Sequence, residues 1–286
     1  MPVTYARPSV RTWKESVLFD RDAATRLPAC EHFMGFNGTS LAQLLAARRG
    51  GARSVSLIAA NPHFSELSRQ HARAFSQYPV DRSYAGRLVA RNLREYALAD
   101  VIYVASSYVW DTFVREGTPE ERLRLFPLTP APRFVPGPAA EPHDTFNVVF
   151  VGALTADKGV PLLVDAFGRL THPDMRLVLV GGWKTNAMKR YLQRARAADP
   201  RIELHVGDPL PHLHAAGVYA HPAYAEGFGY AAAEALACGV PLLVSETTGM
   251  KDLMELPRDG VVLPTGDAQA LAEALACAYR GELPGG

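Results

Sequence analysis

The sequence predicts an α/β protein made of parallel sheets in two domains. Three observations carry this. Short apolar runs alternate with longer helical patterns along the whole chain. Most of those runs are apolar throughout rather than alternating, as expected for strands covered on both faces. A proline-rich stretch without periodicity interrupts the pattern near the middle. At 286 residues the chain is long enough for two domains of ordinary size.

Residues 1–28 read as loop or irregular helix rather than as a first strand. Strands are expected at 32–36 (HFMGF), 54–60 (SVSLIAA), 101–107 (VIYVASS) and 123–128 (LRLFPL). Then comes "PAPRFVPGPAAEPHDTF", residues 130–146, whose five prolines mark a linker. The expected division is a shortened N-terminal domain over 1–140 and a C-terminal domain over 141–286. Six further strands are expected at 147–152, 176–182, 202–207, 217–223, 241–245 and 260–264. Between strands, residues 40–50 start with a Ser cap and end at glycine, and 159–170 and 268–280 carry apolar residues at three- and four-residue spacing. Such alternation means βαβ units with the strand C-termini on one edge, where ligands bind.

Composition narrows the function classes. The net charge of +1 makes no electrostatic case for nucleic acid. Cys30, Cys238 and Cys277 show no paired spacing, so neither a disulfide framework nor a zinc site is expected, and each reads as a small buried side chain. The first twenty residues have no apolar core and read as no signal peptide, and no apolar run approaches 18 residues. A cytoplasmic protein is expected.

The stretch "YAEGFGYAAAEALACG" concentrates the chemistry. A strand should end near Ala223, a glycine-bracketed turn should follow, and a helix should run from Gly229 or Tyr230 to Cys238 with Gly239 as its cap. A helix N-terminus offers unpaired N–H groups and partial positive charge, which suits a diphosphate. Gly227 and Gly229 let backbone approach a ligand. Glu234 lies about one turn inside, roughly 6 Å along the axis, too deep for a cap but suited to the hydroxyls of a ribose. Glu226 stands on the other side of the turn, where the sugar end of a sugar nucleotide would lie. The same pair also reads as a surface acid and a helix-dipole acid, and spacing alone does not separate the two. Lys158, on the loop of "VVFVGALTADKGVPLLVDAF" (148–167), reads either as a phosphate-neutralising cation or as a solvated lysine. "LVLVGGW" (177–183) ends in Gly181 and Gly182, placed to pass close to a ligand or simply to turn.

These segments together resemble one family. "EGFGYAAAEALACGVPLLVSETTGMKDLM" looks like the E-x7-E signature of retaining GT-B glycosyltransferases of family four, the glycosyl transferases group 1. The 148–167 segment resembles that family's G-R-L-x-x-x-K-G strand–loop–helix, and residues 99–128 resemble the last unit before its linker. The resemblance runs from about residue 22 to 280. It implies two Rossmann-like domains facing a cleft, with the first strand-loop-helix unit and the closing C-terminal helix missing, so that the N-domain is incomplete and the chain reads as a shortened enzyme or a fragment. It further implies hexosyl transfer with retention from a nucleoside diphosphate sugar to a glycan or lipid-linked acceptor, without metal or cofactor. A lipid-linked acceptor would bring peripheral contact with the inner face of a membrane. Carried over residue by residue, Glu226 meets the donor sugar, Glu234 the ribose and Lys158 the diphosphate. Gly152, Gly182, Gly227, Phe228, Gly229 and Tyr230 would line the donor. His63 in "IAANPHFSEL" stands where the family often has a histidine near the donor sugar, although it also reads as an exposed loop histidine. Three departures stand out. Ala153 replaces the arginine of G-R-L, Asp252 stands where glutamate is usual, and the 207–217 loop is short. Ala153 and the missing first unit keep open a catalytically silent sugar-nucleotide-binding module, and a sugar-nucleotide epimerase is an alternative within the same fold.

Overall fold

The computed structural model describes residues 8–80, 86–126, 128–137 and 145–283. The chain divides into two compact units, Met1–His71 with Arg82–Pro127 and Ala72–Asp81 with Leu128–Gly286. Part of the expected linker, 138–144, lies outside the described residues, and so does the expected boundary between 140 and 141.

The elements of the first unit are, in chain order, α1 (Pro8–Thr25), β1 (His32–Phe36), α2 (Leu41–Arg49), β2 (Ser54–Ala59), α3 (Phe64–Gln77), α4 (Gly86–Leu98), β3 (Val101–Val104), α5 (Ser107–Arg115) and β4 (Leu123–Leu125), with the end of α3 grouped with the second unit. The four strands are parallel in the order β1-β2-β3-β4. Every step goes the same way. Right-handed crossovers then put the connecting helices on a single face. The strands record this. Val55, Leu57, Ala59, Ile102 and Val104 are buried, while Met34 and Phe36 of β1 are 51% and 57% exposed. The expectation of strands covered on both faces therefore fails in this unit.

Three local expectations are corrected here. The first is α1, a regular 18-residue helix where loop or irregular helix was expected. Its apolar spacing is weak, and Leu18 and Phe19 stay exposed. Packing against α2 and α4 makes it a helix, together with buried Asp20. The second is the Ser40 cap. Ser40 does hold the N-cap position of α2, but its hydroxyl donates to the Phe36 carbonyl (2.8 Å). The α2 amides of Ala42 and Gln43 donate instead to the Asp20 carboxylate (2.7 and 3.1 Å), a charged and therefore stronger acceptor. β3 stops at Val104, three residues early, because Ser106 leaves the strand to cap α5, accepting from Val109 N (3.2 Å).

The second unit continues with β5 (Phe146–Val151), α6 (Val160–Gly168), β6 (Met175–Val180), α7 (Asn186–Ala198), β7 (Ile202–His205), α8 (Leu210–His214), β8 (Val218–His221), α9 (Tyr230–Ala237), β9 (Leu242–Ser245), β10 (Gly260–Leu263) and α10 (Ala268–Tyr279). All six strands are parallel, in the order β10-β9-β8-β5-β6-β7. The chain starts in the middle, builds outward to β7, returns, and builds the other way from β8. Helices consequently cover both faces, and every residue of β8 and β9 is buried. The core joins the sheet to α6 and α10 through Phe150, Leu163, Phe167, Leu177, Leu271 and Leu275. Burial of each such side chain contributes roughly 1.5–3 kcal/mol. Residues 128–137 pack on this unit too: Phe134 is buried and Arg133 pairs bidentately with Asp208 (2.9 and 3.0 Å). Of the cysteines, Cys238 is buried, whereas Cys30 and Cys277 are half-buried. No helix among the described residues is long and apolar enough to cross a membrane.

Candidate functional site

The order of strands in the second unit reverses between β5 and β8, which pair through Val148–Val218 and Val149–Tyr219. At such a switch point the loops leaving the two strands diverge and open a crevice beyond their C-terminal ends. Here those loops are 152–159, carrying Lys158, and 222–229, carrying Glu226. They are tied together. Tyr224 N donates to Asp157 O (2.9 Å). Gly159, at φ +73°, packs so closely that a Cβ would fall 2.0 Å from the Pro222 carbonyl oxygen, so only glycine serves there.

Glu226 sits on a backbone bridge rather than in a free loop. It pairs in parallel with Thr248, its N–H donates to Thr247 O (2.9 Å), and its carbonyl accepts from Gly249 N (3.0 Å). Beneath it, buried hydroxyls close the loop: Ser245 Oγ and Thr247 Oγ1 both donate to Ala223 O, and Thr247 meets Thr265 Oγ1 at 2.7 Å. Gly229 is at φ +94° and forms the N-cap of α9. Its carbonyl accepts from Ala232 and Ala233, so the amides of Tyr230 and Ala231 stand ahead of the first intrahelical bonds. Phe228 is buried and meets the half-exposed Tyr230 edge-on (5.0 Å).

The charges converge on one oxygen. Lys158 Nζ donates to Glu226 Oε2, and His221 Nε2 lies 3.2 Å from the same atom. His221, 3% exposed, stacks on Phe150 (5.6 Å, 5° between planes), and its Nδ1 lies 3.2 Å from Tyr219 Oη. Burial pushes the Glu226 carboxyl up, but the Lys158 ammonium and the His221 ring outweigh it and hold it at about 2. Burial pushes the Lys158 ammonium down, and Glu226 reverses this and raises it. The pair is charged across the neutral range. Glu226 keeps 18% of its side chain exposed, and Oε1 has no hydrogen-bond partner among the described residues. That oxygen can accept from a ligand hydroxyl, while the Lys158 ammonium and the α9 amides can face an anion.

The remaining expected residues divide. Glu234 lies one turn inside α9, half-buried. Burial pushes its carboxyl up, against the pull of Arg133. Gly152 turns the chain out of β5 beside Gly181. Gly182 is exposed, and its carbonyl accepts from Leu154 N (2.9 Å), which anchors the Lys158 loop. Gly227 and Phe228 are buried in the turn. His63 belongs to the first unit, just beyond β2, and the exposed-loop alternative fails because it is 5% exposed. Tyr96 and Phe113 pack on its ring (4.9 and 5.0 Å), and Nδ1 accepts from Ser65 N (3.3 Å). Burial lowers its pKa, with Glu116 opposing the shift, so His63 is held toward its neutral form.

Sequence reasoning missed His221 and Tyr219. The available signal was a histidine and a tyrosine inside an otherwise apolar strand, five and seven residues before Glu226, where burial demands a partner for each polar atom.

Residues 135–282 match the family described as glycosyl transferases group 1, just over half the chain and including both loops. The capsular polysaccharide biosynthesis glycosyltransferase CapM of Staphylococcus aureus is 28% identical over 138 residues, covering 46% of this chain and 36% of CapM. The GDP-mannose-dependent alpha-(1-6)-phosphatidylinositol monomannoside mannosyltransferase of Mycolicibacterium smegmatis is 30% identical over 255 residues, 80% of this chain and 62% of that protein. The chain thus spans between about a third and two thirds of these curated relatives. Among solved structures, sucrose-phosphate synthase from Thermosynechococcus elongatus superposes with a TM-score of 0.76 at 22% identity, over all of this chain and 74% of that one. HepE of Anabaena in complex with UDP-glucose gives 0.70 at 18%, over 96% and 74%. The two parallel α/β sheets thus have the GT-B fold, and the chain belongs to the glycosyl transferases group 1 family.

Proposed function

We propose that the chain transfers a hexosyl unit, with retention, from a nucleoside diphosphate sugar to a glycan or lipid-linked acceptor. One observation carries this reading: at the switch point a charged carboxylate keeps one oxygen open beside a lysine and a helix N-terminus. A sugar nucleotide needs that combination, an acceptor for sugar hydroxyls next to positive charge for a leaving diphosphate. In this reading Glu226 Oε1 accepts from the donor sugar and gains strength as positive charge grows on the ring. Lys158 and the amides of Tyr230 and Ala231 stabilise the departing diphosphate, and Glu234 accepts from the ribose. Gly152, Gly182, Gly227 and Phe228 shape the donor's path. In this reading the first unit takes the acceptor side and the second the donor side. Positive charge from side chain and helix replaces a metal, so EDTA should leave the rate unchanged.

The names of the relatives supply first donors. GDP-mannose and UDP-glucose, tested beside their ADP counterparts, should release nucleoside diphosphate faster when octyl glycosides or phosphatidylinositol vesicles are added. Product NMR should find the donor's anomeric configuration kept. An inverted product would sink retention. Binding of a nucleotide sugar with no turnover on any acceptor would favour the second reading, a silent binding module, which draws support from Ala153: it leaves Lys158 as the single cation of its loop.

A further inference from the structure

We propose that His221 is a positioning residue, which locks Oε2 of Glu226 against Lys158 so that Oε1 alone meets the sugar. The inference rests on the transfer reading above. Its basis is a chain of contacts running from Val151 O through Tyr219 Oη, the His221 ring and Glu226 Oε2 to Lys158 Nζ.

Glu226 is ionised and can only accept, so the 3.2 Å contact makes Nε2 the donor to Oε2 wherever the Tyr219 proton points. Tyr219 Oη has one proton. If it goes to Val151 O, 3.2 Å away, Nδ1 must donate to Oη and the ring carries a proton on both nitrogens. If it goes to Nδ1 instead, the ring is neutral with its proton on Nε2. Both cases aim an N–H at Glu226 Oε2. The ring itself has no freedom to turn, since it is stacked parallel on Phe150 and almost wholly buried in β8.

Lys158 could not do this alone. Its ammonium is a point charge on a flexible stem, 25% exposed, and it attracts either carboxylate oxygen equally well. The fixed imidazole breaks that symmetry. A buried histidine in an apolar strand also has no purely packing reason to be there, because phenylalanine would fill the same stack without a polar group to satisfy. The charged and titratable groups around the carboxylate are Lys158 from the loop after β5 and His221 and Tyr219 from β8, with Asp157 acting on Lys158 and Glu234 of α9 acting on Tyr219.

The test compares His221→Phe, which keeps the stack on Phe150, with His221→Gln, Glu226→Gln and the double variant Glu226→Gln/His221→Phe. Binding of UDP and GDP to His221→Phe should stay within about threefold of the parent, while kcat for the preferred sugar donor falls about tenfold or more with KM little changed. His221→Gln, which retains an amide donor, should recover part of the loss. The double variant should fall no further than Glu226→Gln alone, because the histidine acts only through the carboxylate. A parental kcat in His221→Phe, or losses that multiply in the double variant, overturns the proposal. A second readout stands apart from activity. In glutamate labelled with 13C at the carboxyl, with Glu226→Gln assigning the resonance, the Glu226 titration should move up by about one pH unit in His221→Phe. If the parent turns over no donor, the transfer reading fails while this titration still decides on His221, and an unmoved midpoint overturns it.

Discussion

Each unit of the molecule buries a cluster of charges, and the two clusters are finished differently. In the first, Asp20, Arg91 and Glu95 are 1%, 9% and 0% exposed. Asp20 accepts from Ala42 N, Gln43 N, Gln43 Nε2 and Arg91, and Glu95 accepts from Gly38 N on one oxygen and Ser40 N on the other. Every carboxylate oxygen there is taken by the chain itself. In the second, Glu226 gives both its contacts among the described residues to Oε2 and leaves Oε1 open to them. A saturated buried carboxylate caps backbone and holds a loop in place. An unsaturated one at a strand-order reversal has capacity left for a ligand. Topology underlies the contrast. The first sheet adds strands in one direction, whereas the second turns back on itself between β5 and β8 and so makes a crevice.

The sharpest way to break this comparison is to remove one carboxylate from each cluster. Glu95→Ala should cost roughly 3–5 kcal/mol of stability, because it leaves buried donors and Arg91 short of partners. Denaturant melts measure this, and a loss below about 1 kcal/mol would mean the cluster is not structural. Nucleotide affinity of the folded fraction should not change. Acid supplies the next effect. With Glu226 held at about 2, below the ordinary glutamate value, the fold gains from its carboxylate above about pH 4.5 and loses that gain as pH falls toward 2. The difference between wild type and Glu226→Gln across that window should reach on the order of 3 kcal/mol at most. Parallel stability curves would show that the Lys158 pair contributes nothing. Glu95, pushed up by burial, titrates in the opposite sense and stays in both proteins.

Glu226→Gln should also lower kcat about a hundredfold while free UDP or GDP binds within about threefold, since the lost charge matters most as the transition state develops. Equal loss of nucleotide binding would put Glu226 at the wrong end of the ligand. Glu234→Ala should weaken nucleoside diphosphate binding by about 1.5–3 kcal/mol, read by calorimetry, and unchanged affinity would remove it from the ribose. The smallest effect belongs to Ala153→Arg. A guanidinium beside Lys158 should tighten diphosphate binding by about 1 kcal/mol. A folded variant with no gain would mean that this loop does not face phosphate.

The fold was readable in the sequence where information is local. The ten strands of the described residues lie where apolar runs predicted them, and α9 begins and ends at its glycines, because chain burial and left-handed φ are properties of a few consecutive residues. Lys158 and Glu226 were legible as chemistry for the same reason, each on a loop following an apolar strand. Less was readable where a partner from elsewhere decides. The helix α1 depends on α2 and α4, and its weak periodicity gave no sign of them. The true cap of α2 is Asp20, 22 residues upstream of Ala42, so Ser40 drew the attention.

By itself, then, the sequence determined the strands, the helices that became α2, α6, α9 and α10, the glycine-bounded start of α9, and which side chains could carry charge to a ligand. Only the tertiary structure decided that Lys158 and Glu226, 68 residues apart, share an ion pair. It also decided that His221 and Tyr219 stand behind them, and that His63 is enclosed by aromatic rings. The physical reason is that periodicity encodes how deeply a strand is buried but not which strand lies beside it. The order β8-β5 is set by packing across the whole sheet, and the site exists only where those two strands meet.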